Sequence, residues 1–311
     1  MQQTANTILM IRPINFRMNE QTVVNNYYQK VLDSLSKEDV NAKAKLEFDI
    51  YVEKLRSADI EVIVISDNTD HDTPDSIFPN NWISFHKDGT VGLYPLFAEN
   101  RRNERREDIL QTLESNGFRI ENIMDYTSAE EEAVFLEGTG SVVLDREHGL
   151  AYCALSPRAD ENLFIEFCED FEYTPVVFSA NQTVDGERRA IYHTNVMMSI
   201  GETFAVICLD SIDNKKERKH VVQHLKRTGK DIISISEAQV NNFAGNMLQV
   251  RAKDNKRYLI MSQAAYDSLT KDQLDAIEKH SSILSSNLNT IEAYGGGSAR
   301  CMMAEVFLPR A

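Results

Sequence analysis

The sequence predicts a mixed α/β fold in which five similar modules close into a ring, and three observations support this. Segments with helical and with strand-like spacing of apolar residues alternate along the 311 residues. The two ends of the chain each carry a predicted strand without a hairpin of its own. Five residues that precede predicted strands are separated by 56, 56, 53 and 55 positions: Asn81, Glu137, His193, Asn246 and Cys301. Such regular spacing is typical of repeat architectures.

The first elements define the module. A short apolar run predicts a strand at 7–13, and apolar residues close to one helical turn apart predict a helix at 20–57. The β-branched run at 61–66 predicts a second strand. A hairpin at 83–94 follows Asn81, with a Lys-Asp-Gly turn between its strands. Each module therefore consists of a signature residue, a hairpin, a helix and a strand.

The same order recurs through the rest of the chain. Hairpins are predicted at 141–155, 196–209 and 247–261, helices at 99–115, 160–171, 215–227 and 264–280, and strands at 119–124, 175–178, 232–235 and 282–284. The strand after Cys301, at 302–308, has no hairpin partner. We expect it to pair with 7–12, because closure of a ring removes exposed sheet edges. Residues 1–311 are therefore predicted to form one domain, with the five signature residues at its axis.

Composition excludes several classes of protein. The net charge of −15 disfavours nucleic acid as a partner. No apolar run approaches the roughly 20 residues that span a bilayer, and the N-terminus lacks signal-peptide features, so we expect a cytoplasmic protein without membrane contact. The four cysteines are too widely spaced for a zinc site or a disulfide framework. A small-molecule substrate is the expected partner, and a homo-oligomer is compatible with the sequence.

Three of the signature residues suggest nucleophilic catalysis. A Cys301 thiolate needs a proton-accepting neighbour, for which His193 is the candidate. Glu137 could orient that imidazole or bind substrate nitrogens, and a carboxylate in its apolar surroundings is costly without partners. Taken singly, Cys301 also fits a small core residue and His193 a satisfied core histidine. The shared spacing favours the catalytic interpretation.

Three motifs carry a resemblance to a known family. FLEGTGS at 135–141, YHTN at 192–195 and GGGSARCM at 295–302 resemble the catalytic signatures of the guanidino-group-modifying, or pentein, superfamily, which includes arginine deiminases, dimethylargininases and amidinotransferases. The likeness covers essentially the whole chain. It implies a five-bladed, pseudo-symmetric α/β propeller, with Cys301 as nucleophile and His193 as general acid and base.

The resemblance also implies substrate-binding residues. Glu137 matches the acid that binds substrate nitrogens, and Arg101 or Arg102 lies in a segment similar to the family's carboxylate-binding basic segment, although a solvated helix face also fits these arginines. Asn81 and Asn195 stand where many guanidine-modifying members have aspartates, and Asn246 is a further amide candidate. A neutral ureido group offers both an acceptor and donors, which amides match better than paired carboxylates do.

These differences predict hydrolysis of a ureido C–N bond, as in citrulline, through a covalent Cys301 thioester, giving ornithine, carbon dioxide and ammonia. No metal or organic cofactor is required by this chemistry. Two alternatives remain open from the sequence. One is a deiminase-like or dimethylargininase-like hydrolase of a guanidine substrate such as arginine or methylarginine. The other is a non-catalytic pentein-fold binding protein.

Overall fold

The computed structural model describes residues 2–30, 35–68 and 70–310. The strands are β1 (Thr7–Arg12), β2 (Glu61–Ser66), β3 (Ile83–Phe85), β4 (Thr90–Leu93), β5 (Asn122–Asp125), β6 (Val142–Asp145), β7 (Leu150–Leu155), β8 (Thr174–Ser179), β9 (Asn181–Val184), β10 (Glu187–Ala190), β11 (Met198–Ile200), β12 (Phe204–Ile207), β13 (Asp231–Ser234), β14 (Leu248–Arg251), β15 (Arg257–Ser262), β16 (Ser282–Ser286) and β17 (Ala304–Glu305).

Helices connect these strands. The α-helices are α1 (Lys37–Ser57), α2 (Glu107–Ser115), α3 (Gly138–Ser141), α4 (Glu161–Asp170), α5 (Thr194–Met197), α6 (Lys215–Arg227), α7 (Glu237–Val240), α8 (Gln263–Ser268), α9 (Lys271–Glu278) and α10 (Asn289–Gly295). Short 3₁₀ helices lie at Pro79–Asn81, Glu99–Glu104, Thr127–Glu132 and Leu209–Ser211. In the described part of the chain, none of the helices has the length and apolar character needed to cross a bilayer.

The described strands build five three-stranded sheets with a common pattern. Their orders are β3-β4-β5, β6-β7-β8, β11-β12-β13, β14-β15-β16 and β17-β1-β2. In each sheet the middle strand is antiparallel to the first and parallel to the third. Parallel neighbours need a crossover, and a helix supplies it in every sheet. The result is a mixed α/β fold that repeats one unit of structure.

Both ends of the chain contribute to the fifth sheet. Strand β1 pairs antiparallel with β17, with Ile8 opposite Glu305 and Leu9 opposite Ala304. The predicted terminal strand 302–308 is thus reduced to the two residues of β17. Among the described residues the five sheets are separate hydrogen-bonded units and form no closed barrel. The single domain, the ring closure and the five-bladed propeller therefore stay predictions.

Short turns place three signature residues at the start of the hairpins. The turn Pro79–Asn81 precedes β3, α3 precedes β6 and α5 precedes β11. Gly138 lets α3 approach the first of these turns, because its φ is +46° and a Cβ there would lie 2.5 Å from the Asn80 carbonyl oxygen. Gly140 is constrained by space alone, since a Cβ would lie 2.5 Å from Asn81 Nδ2 and 2.8 Å from His193 Nδ1. The glycines of the FLEGTGS motif thus allow the modules to meet closely.

The predicted helix at 20–57 is wrong in its first half. Helix α1 begins after Ser36, whose side chain accepts a hydrogen bond from the Asp39 N–H. Residues 20–30 form turns instead, and residues 31–34 lie outside the described residues. The Asn19 carbonyl accepts from Thr22 N–H at 3.1 Å, which starts these turns. Val24 is 63% exposed, so its apolar spacing did not mark a buried helical face.

Two other predicted helices are divided. The segment 99–115 contains a 3₁₀ helix and then α2, separated by the extended Arg105 and Arg106. The segment 264–280 contains α8 and α9, because Thr270 starts a new helix in a capping box with Gln273. The hairpin β9–β10 was not predicted, since its polar strands lack apolar alternation, although Asp185 and Gly186 form a typical hairpin turn.

Leu9 tests the contribution of the fifth sheet to stability. Its side chain is fully buried, and its backbone lies between Ile63 of β2 and Ala304 of β17. Leu9→Ala leaves a cavity and is expected to lower the free energy of unfolding by about 2–5 kcal/mol. Leu46→Ala is the matched control, because Leu46 is 61% exposed and should change stability by less than about 0.5 kcal/mol. Equal urea midpoints for the two variants would contradict the assignment of Leu9 to the core.

Candidate active site

Residues from distant modules surround one small cavity. It is lined by Thr22, Asn26, Asp75, Phe78, Asn81, Arg101, Arg158, Tyr192, His193, Gly295, Gly297 and Cys301. The volume is about 10 Å³, which holds about one water molecule. The structure therefore shows a closed site that must open to admit a small organic molecule.

Glu137 and His193 form a buried pair beside this cavity. His193 Nε2 lies 2.7 Å from Glu137 Oε2, and both side chains are almost fully buried. Burial by itself raises the pKa of the Glu137 carboxyl, but the charge of Arg158 and the hydrogen bond from His193 outweigh it and lower that pKa to about 2. Burial lowers the pKa of the His193 imidazole to about 4, although Glu137 acts to raise it. Near neutral pH the pair is a carboxylate and a neutral imidazole.

This charge state fixes the tautomer of His193. An ionised carboxylate is only an acceptor, so His193 Nε2 must carry the proton that is shared with Glu137. The other ring nitrogen, Nδ1, then has a free lone pair. Gly140 leaves room beside Nδ1, because any Cβ at that position would lie 2.8 Å away. Nδ1 is therefore the atom of His193 that can accept a proton.

Cys301 follows a glycine turn that other parts of the chain hold in place. Gly296 ends α10 with a φ of +61°, a left-handed conformation that favours glycine. The Tyr192 hydroxyl donates to the Gly296 carbonyl at 2.5 Å, and Asn26 Nδ2 donates to it at 3.3 Å. The turn that carries the nucleophile candidate is thus fixed by residues from two other segments.

Amide groups surround the sulfur of Cys301. Asn246 Nδ2 lies 3.2 Å and Asn195 Nδ2 3.6 Å from Cys301 Sγ. Asn246 Oδ1 accepts from the Arg300 N–H at 3.0 Å, which orients its amide so that the NH₂ group faces the sulfur. Donors at these positions stabilise negative charge on sulfur or on a nearby oxygen. The structure thus brings Asn195 and Asn246 to the nucleophile candidate.

Asn81 is oriented by a buried arginine. Arg101 Nη1 donates to Asn81 Oδ1 at 2.8 Å, while its Nε and Nη2 bind the Glu104 carboxylate at 2.8 and 2.9 Å. Burial raises the pKa of Glu104 to about 7 despite the opposing charge of Arg101. Asn81 Nδ2 donates to Asn80 Oδ1 at 3.1 Å, which leaves its second N–H for a ligand.

Arg102 does not line the cavity, so of the two candidate arginines only Arg101 does. Arg102 Nε lies 3.3 Å from Glu130 and 3.3 Å from the Leu96 carbonyl oxygen. Its side chain is 28% exposed. The 3₁₀ helix Glu99–Glu104 turns Arg101 inward and leaves its neighbour at the surface. The structure therefore places Arg101, and not Arg102, at this cavity.

Arg158 is a site residue that sequence analysis missed. Its side chain is buried, its Nη1 lies 3.5 Å from Glu137 Oε2, and its guanidinium carbon lies 4.9 Å from the centre of the Tyr192 ring. The repeat contained a signal for it, because Arg101 and Arg158 are 57 positions apart and each follows the second strand of a hairpin. Arg158 supplies a second buried positive charge to the cavity.

Asp75 is the second missed residue. Burial raises the pKa of its carboxyl, and its Oδ1 is buried without a hydrogen-bond partner in the described part of the chain. Its Oδ2 accepts from Asn19 Nδ2 at 2.8 Å. No apolar pattern or motif distinguished this aspartate in the sequence. It places a carboxylate with free acceptor capacity at the cavity.

Residues 19–30 close the cavity on one side. Asn25 Oδ1 accepts two hydrogen bonds from Arg158, at 2.9 and 2.5 Å, and the Thr22 carbonyl accepts a third at 3.0 Å. Asn26 Nδ2 donates to the Gly295 carbonyl at 3.2 Å. Since these contacts are side-chain hydrogen bonds to site residues, a ligand that binds Arg158 competes with the covering segment.

Comparisons with known proteins indicate the family and the fold. The chain matches a family model described as eukaryotic N,N dimethylarginine dimethylhydrolase over residues 12–308. No curated protein matches it. A solved structure of the N-terminal domain of ArgZ, covalently bound to a reaction intermediate, shares 17% identity and a TM-score of 0.72, covering 97% of this chain and 99% of that chain. ArgZ is described as an arginine dihydrolase from the ornithine–ammonia cycle in Cyanobacteria.

Two further solved structures are similar. Unliganded AgrE shares 18% identity and a TM-score of 0.72, covering 98% of this chain and 40% of that chain. An adduct of dimethylarginine dimethylaminohydrolase with S-methyl-L-thiocitrulline shares 13% identity and a TM-score of 0.60, covering 96% of this chain and 99% of that chain. At these identities the structural likeness supports a shared mixed α/β fold.

Proposed function

The chain belongs to the family of hydrolases described as eukaryotic N,N dimethylarginine dimethylhydrolase, and we propose that it uses Cys301 to hydrolyse the ureido C–N bond of citrulline or a related neutral amino acid. The observation that carries this proposal is the set of amides at the nucleophile. In the described residues the hydrogen-bond partners of Cys301 Sγ are the side chains of Asn246 and Asn195, and no carboxylate is among them.

The amides favour a neutral group over a cation. A guanidinium has only donors and is best matched by carboxylates. A ureido oxygen accepts hydrogen bonds, and the candidate donors are the NH₂ groups of Asn81, Asn195 and Asn246. Each also donates one hydrogen bond to a protein oxygen, namely Asn80 Oδ1, the Thr139 carbonyl and the Asn195 carbonyl. Because Arg101 already donates to Asn81 Oδ1, a guanidinium at this amide would lie beside a second positive charge and compete with it for the same oxygen.

The protonation states of His193 and Glu137 determine the first step of the reaction. His193 is neutral near pH 7, so its Nδ1 accepts the proton of the Cys301 thiol, and the thiolate attacks the ureido carbon. The imidazolium, stabilised by Glu137, then protonates the departing nitrogen of ornithine. The C–N bond breaks and a carbamoyl thioester remains on Cys301. His193 next accepts a proton from water, which attacks the thioester and releases carbamate and the thiol.

Charged residues at the cavity suit an amino-acid head group. Arg158 and Arg101 offer positive charge for an α-carboxylate, and Asp75 offers an unpartnered oxygen for an α-ammonium. Arg101 is already bound twice by Glu104, whereas Arg158 holds the replaceable Asn25. We therefore assign the carboxylate chiefly to Arg158.

A hydrolase of a guanidine substrate is the second candidate. The family description and the name of ArgZ, an arginine dihydrolase, favour it. A non-catalytic binding protein does not fit the paired Glu137 and His193 beside Cys301. A cytoplasmic location, homo-oligomerisation and independence of cofactors remain part of the proposal.

Turnover of citrulline and arginine separates the candidates. Purified protein is expected to release ornithine from citrulline and to form no citrulline from arginine, measured by chromatography of the amino acids. Asn81→Asp removes the amide donor and adds a charge, so kcat/KM for citrulline should fall about 10–100-fold. Asn242→Asp, at an exposed asparagine, is the matched control and should retain activity. Citrulline production from arginine would overturn the ureido proposal and favour a guanidine hydrolase.

A further inference from the structure

A second, larger cavity lies at the opposite end of the strands that carry the candidate active site. Its volume is about 870 Å³, within the range of roughly 300–1,000 Å³ typical of ligand pockets. Strand β3 lies between Asn81 and the cavity residue His86, and β14 begins two residues after Asn246 and ends at the cavity residue Arg251. Four residues of extended strand, as in β14, span about 13 Å. We call this space the far cavity; a molecule bound there does not touch Cys301.

Two arginines give the far cavity an anion-binding interior. Arg146 is 5% exposed, and its guanidinium carbon lies 4.2 Å from the centre of the Phe307 ring. Arg251 is half-buried and its Nε is buried without a hydrogen-bond partner among residues 2–30, 35–68 and 70–310. Its Nη1 donates to Asn255 Oδ1 at 3.1 Å. These guanidinium groups therefore retain donors for a ligand.

Nearby carboxylates are already engaged elsewhere. Asp145, next to Arg146 in sequence, lies 3.3 Å from Lys230 and 2.9 Å from His148. Glu305 of β17 lies 2.8 Å from Arg300. Within the described residues, no ion pair includes Arg146 or Arg251. The chain has a net charge of −15, so two arginines without an acidic partner on one cavity indicate a site for an anionic ligand.

Negative charge is confined to the rim of the far cavity. Asp88, Asp170 and Glu172 line it but are exposed to solvent. Asp88 accepts from the Thr90 N–H at 3.0 Å, and Asp170 accepts from the Tyr126 hydroxyl at 2.7 Å. The exposed positions of these carboxylates leave the positive groups to dominate the interior.

Flat side chains form the walls. The rings of His86 and Phe171 stack with centroids 3.9 Å apart, and Phe307 lies beneath Arg146. Burial raises the pKa of the Tyr173 hydroxyl, and the charge of nearby Arg146 opposes that rise. Flat apolar walls around fixed positive groups are suited to a flat apolar body that carries an acidic group.

We propose that the far cavity binds a small organic anion, with a carboxylate, phosphate or sulfonate facing Arg146 and Arg251 and a flat apolar body between Phe171 and Phe307. This assignment rests on the cavity and its side chains, and it does not depend on the reaction proposed for Cys301.

Anilinonaphthalene sulfonate is a fluorescent probe of this class. Its affinity for the full chain is expected to fall about tenfold in Arg146→Gln and in Arg251→Gln, because each loses a charge-assisted hydrogen bond. Arg218→Gln, at a surface arginine of α6, is the matched control and should bind the probe as the unmodified chain does. If Arg146→Gln fails to fold, as judged by its melting curve, the half-buried Arg251 still provides the test.

Competition and alkylation experiments test which charge the far cavity prefers and whether the probe binds away from Cys301. Benzoate is expected to displace the probe, whereas benzylamine, which carries the opposite charge on a similar ring, should not. Alkylation of Cys301 by iodoacetamide should leave the probe's affinity unchanged, since the two cavities share no residue. Unchanged affinity in both arginine variants, equal displacement by benzylamine, or loss of binding on alkylation would each overturn the proposal.

Discussion

Replacement of Cys301 by alanine is expected to lower kcat/KM for the proposed ureido substrate by about 10⁴-fold or more. The reaction runs through a covalent thioester, and no other described cysteine lines the cavity. The substitution removes the nucleophile and leaves Asn195, Asn246 and the glycine turn in place. Ornithine release from citrulline, followed over hours, measures the residual rate.

Chemical labelling tests independently whether Cys301 is the nucleophile. Burial raises the pKa of the Cys168 thiol to about 12 and also raises the pKa values of Cys153 and Cys208, which leaves these thiols unreactive near pH 7. We expect iodoacetamide to label Cys301 first, as located by mass spectrometry, and the proposed substrate to slow the labelling.

Cys168→Ala is the matched control for this variant. Its thiol is buried in α4, outside the cavity, so full turnover should remain. Turnover by Cys301→Ala at the rate of the unmodified chain, or labelling of Cys168 before Cys301, would show that the nucleophile is misassigned.

The spacing of the signature residues could be predicted because the modules repeat in three dimensions. Asn81, Glu137 and His193 each stand at the turn that begins a hairpin, so equal sequence separations become equivalent structural positions. Asn246 and Cys301 meet for the same reason, at 3.2 Å. The spacing of these residues in the sequence therefore identifies most of the candidate site without knowledge of their contacts.

Contacts that depend on side-chain direction or on unpatterned segments could not be predicted. Arg101 and Arg102 are adjacent in sequence, and only the geometry of a 3₁₀ helix decides which one reaches the cavity. Residues 20–30 have helical apolar spacing, yet Asn19, Asn25 and Asn26 use their side chains to bind turns and site residues instead. Asparagine competes with helical hydrogen bonding in this way.

Glu137→Gln is expected to lower kcat/KM by about 10³-fold, the second largest effect of these substitutions. The change keeps the shape of the side chain but turns an acceptor-only carboxylate into an amide. Glutamine can donate to His193 Nε2, which allows the proton to move to Nδ1, where it blocks acceptance of the thiol proton. Asp145→Asn is the matched control, because Asp145 is equally buried but binds Lys230.

The pH dependence of the same variant tests the charge assignment. His193 is active as a base when neutral, so kcat/KM of the unmodified chain should rise with pH through about 4, the lowered pKa of the imidazole. Glu137 acts to raise that pKa, so its removal should move the acid limb to still lower pH while the plateau falls. An acid limb near 6.5 in the unmodified chain, or an upward shift in the variant, would contradict a neutral, buried His193.

The free energy of unfolding should also depend on pH, in the direction that the pKa shifts of Glu137 and His193 require. The pKa of Glu137 is lowered from 4.5 to about 2, so its contribution to folding is complete above pH 4.5 and is lost as the pH falls toward 2. The pKa of His193 is lowered from 6.5 to about 4, so the unfolded chain binds this proton first and stability also falls from pH 6.5 toward 4. Urea midpoints of the unmodified chain should therefore drop through both ranges.

In Glu137→Gln the loss of stability between pH 4.5 and 2 should be smaller, because no carboxylate remains there to be protonated. An equal loss in that range for both proteins would assign it to other carboxylates and remove the support for an ionised Glu137 beside the neutral imidazole.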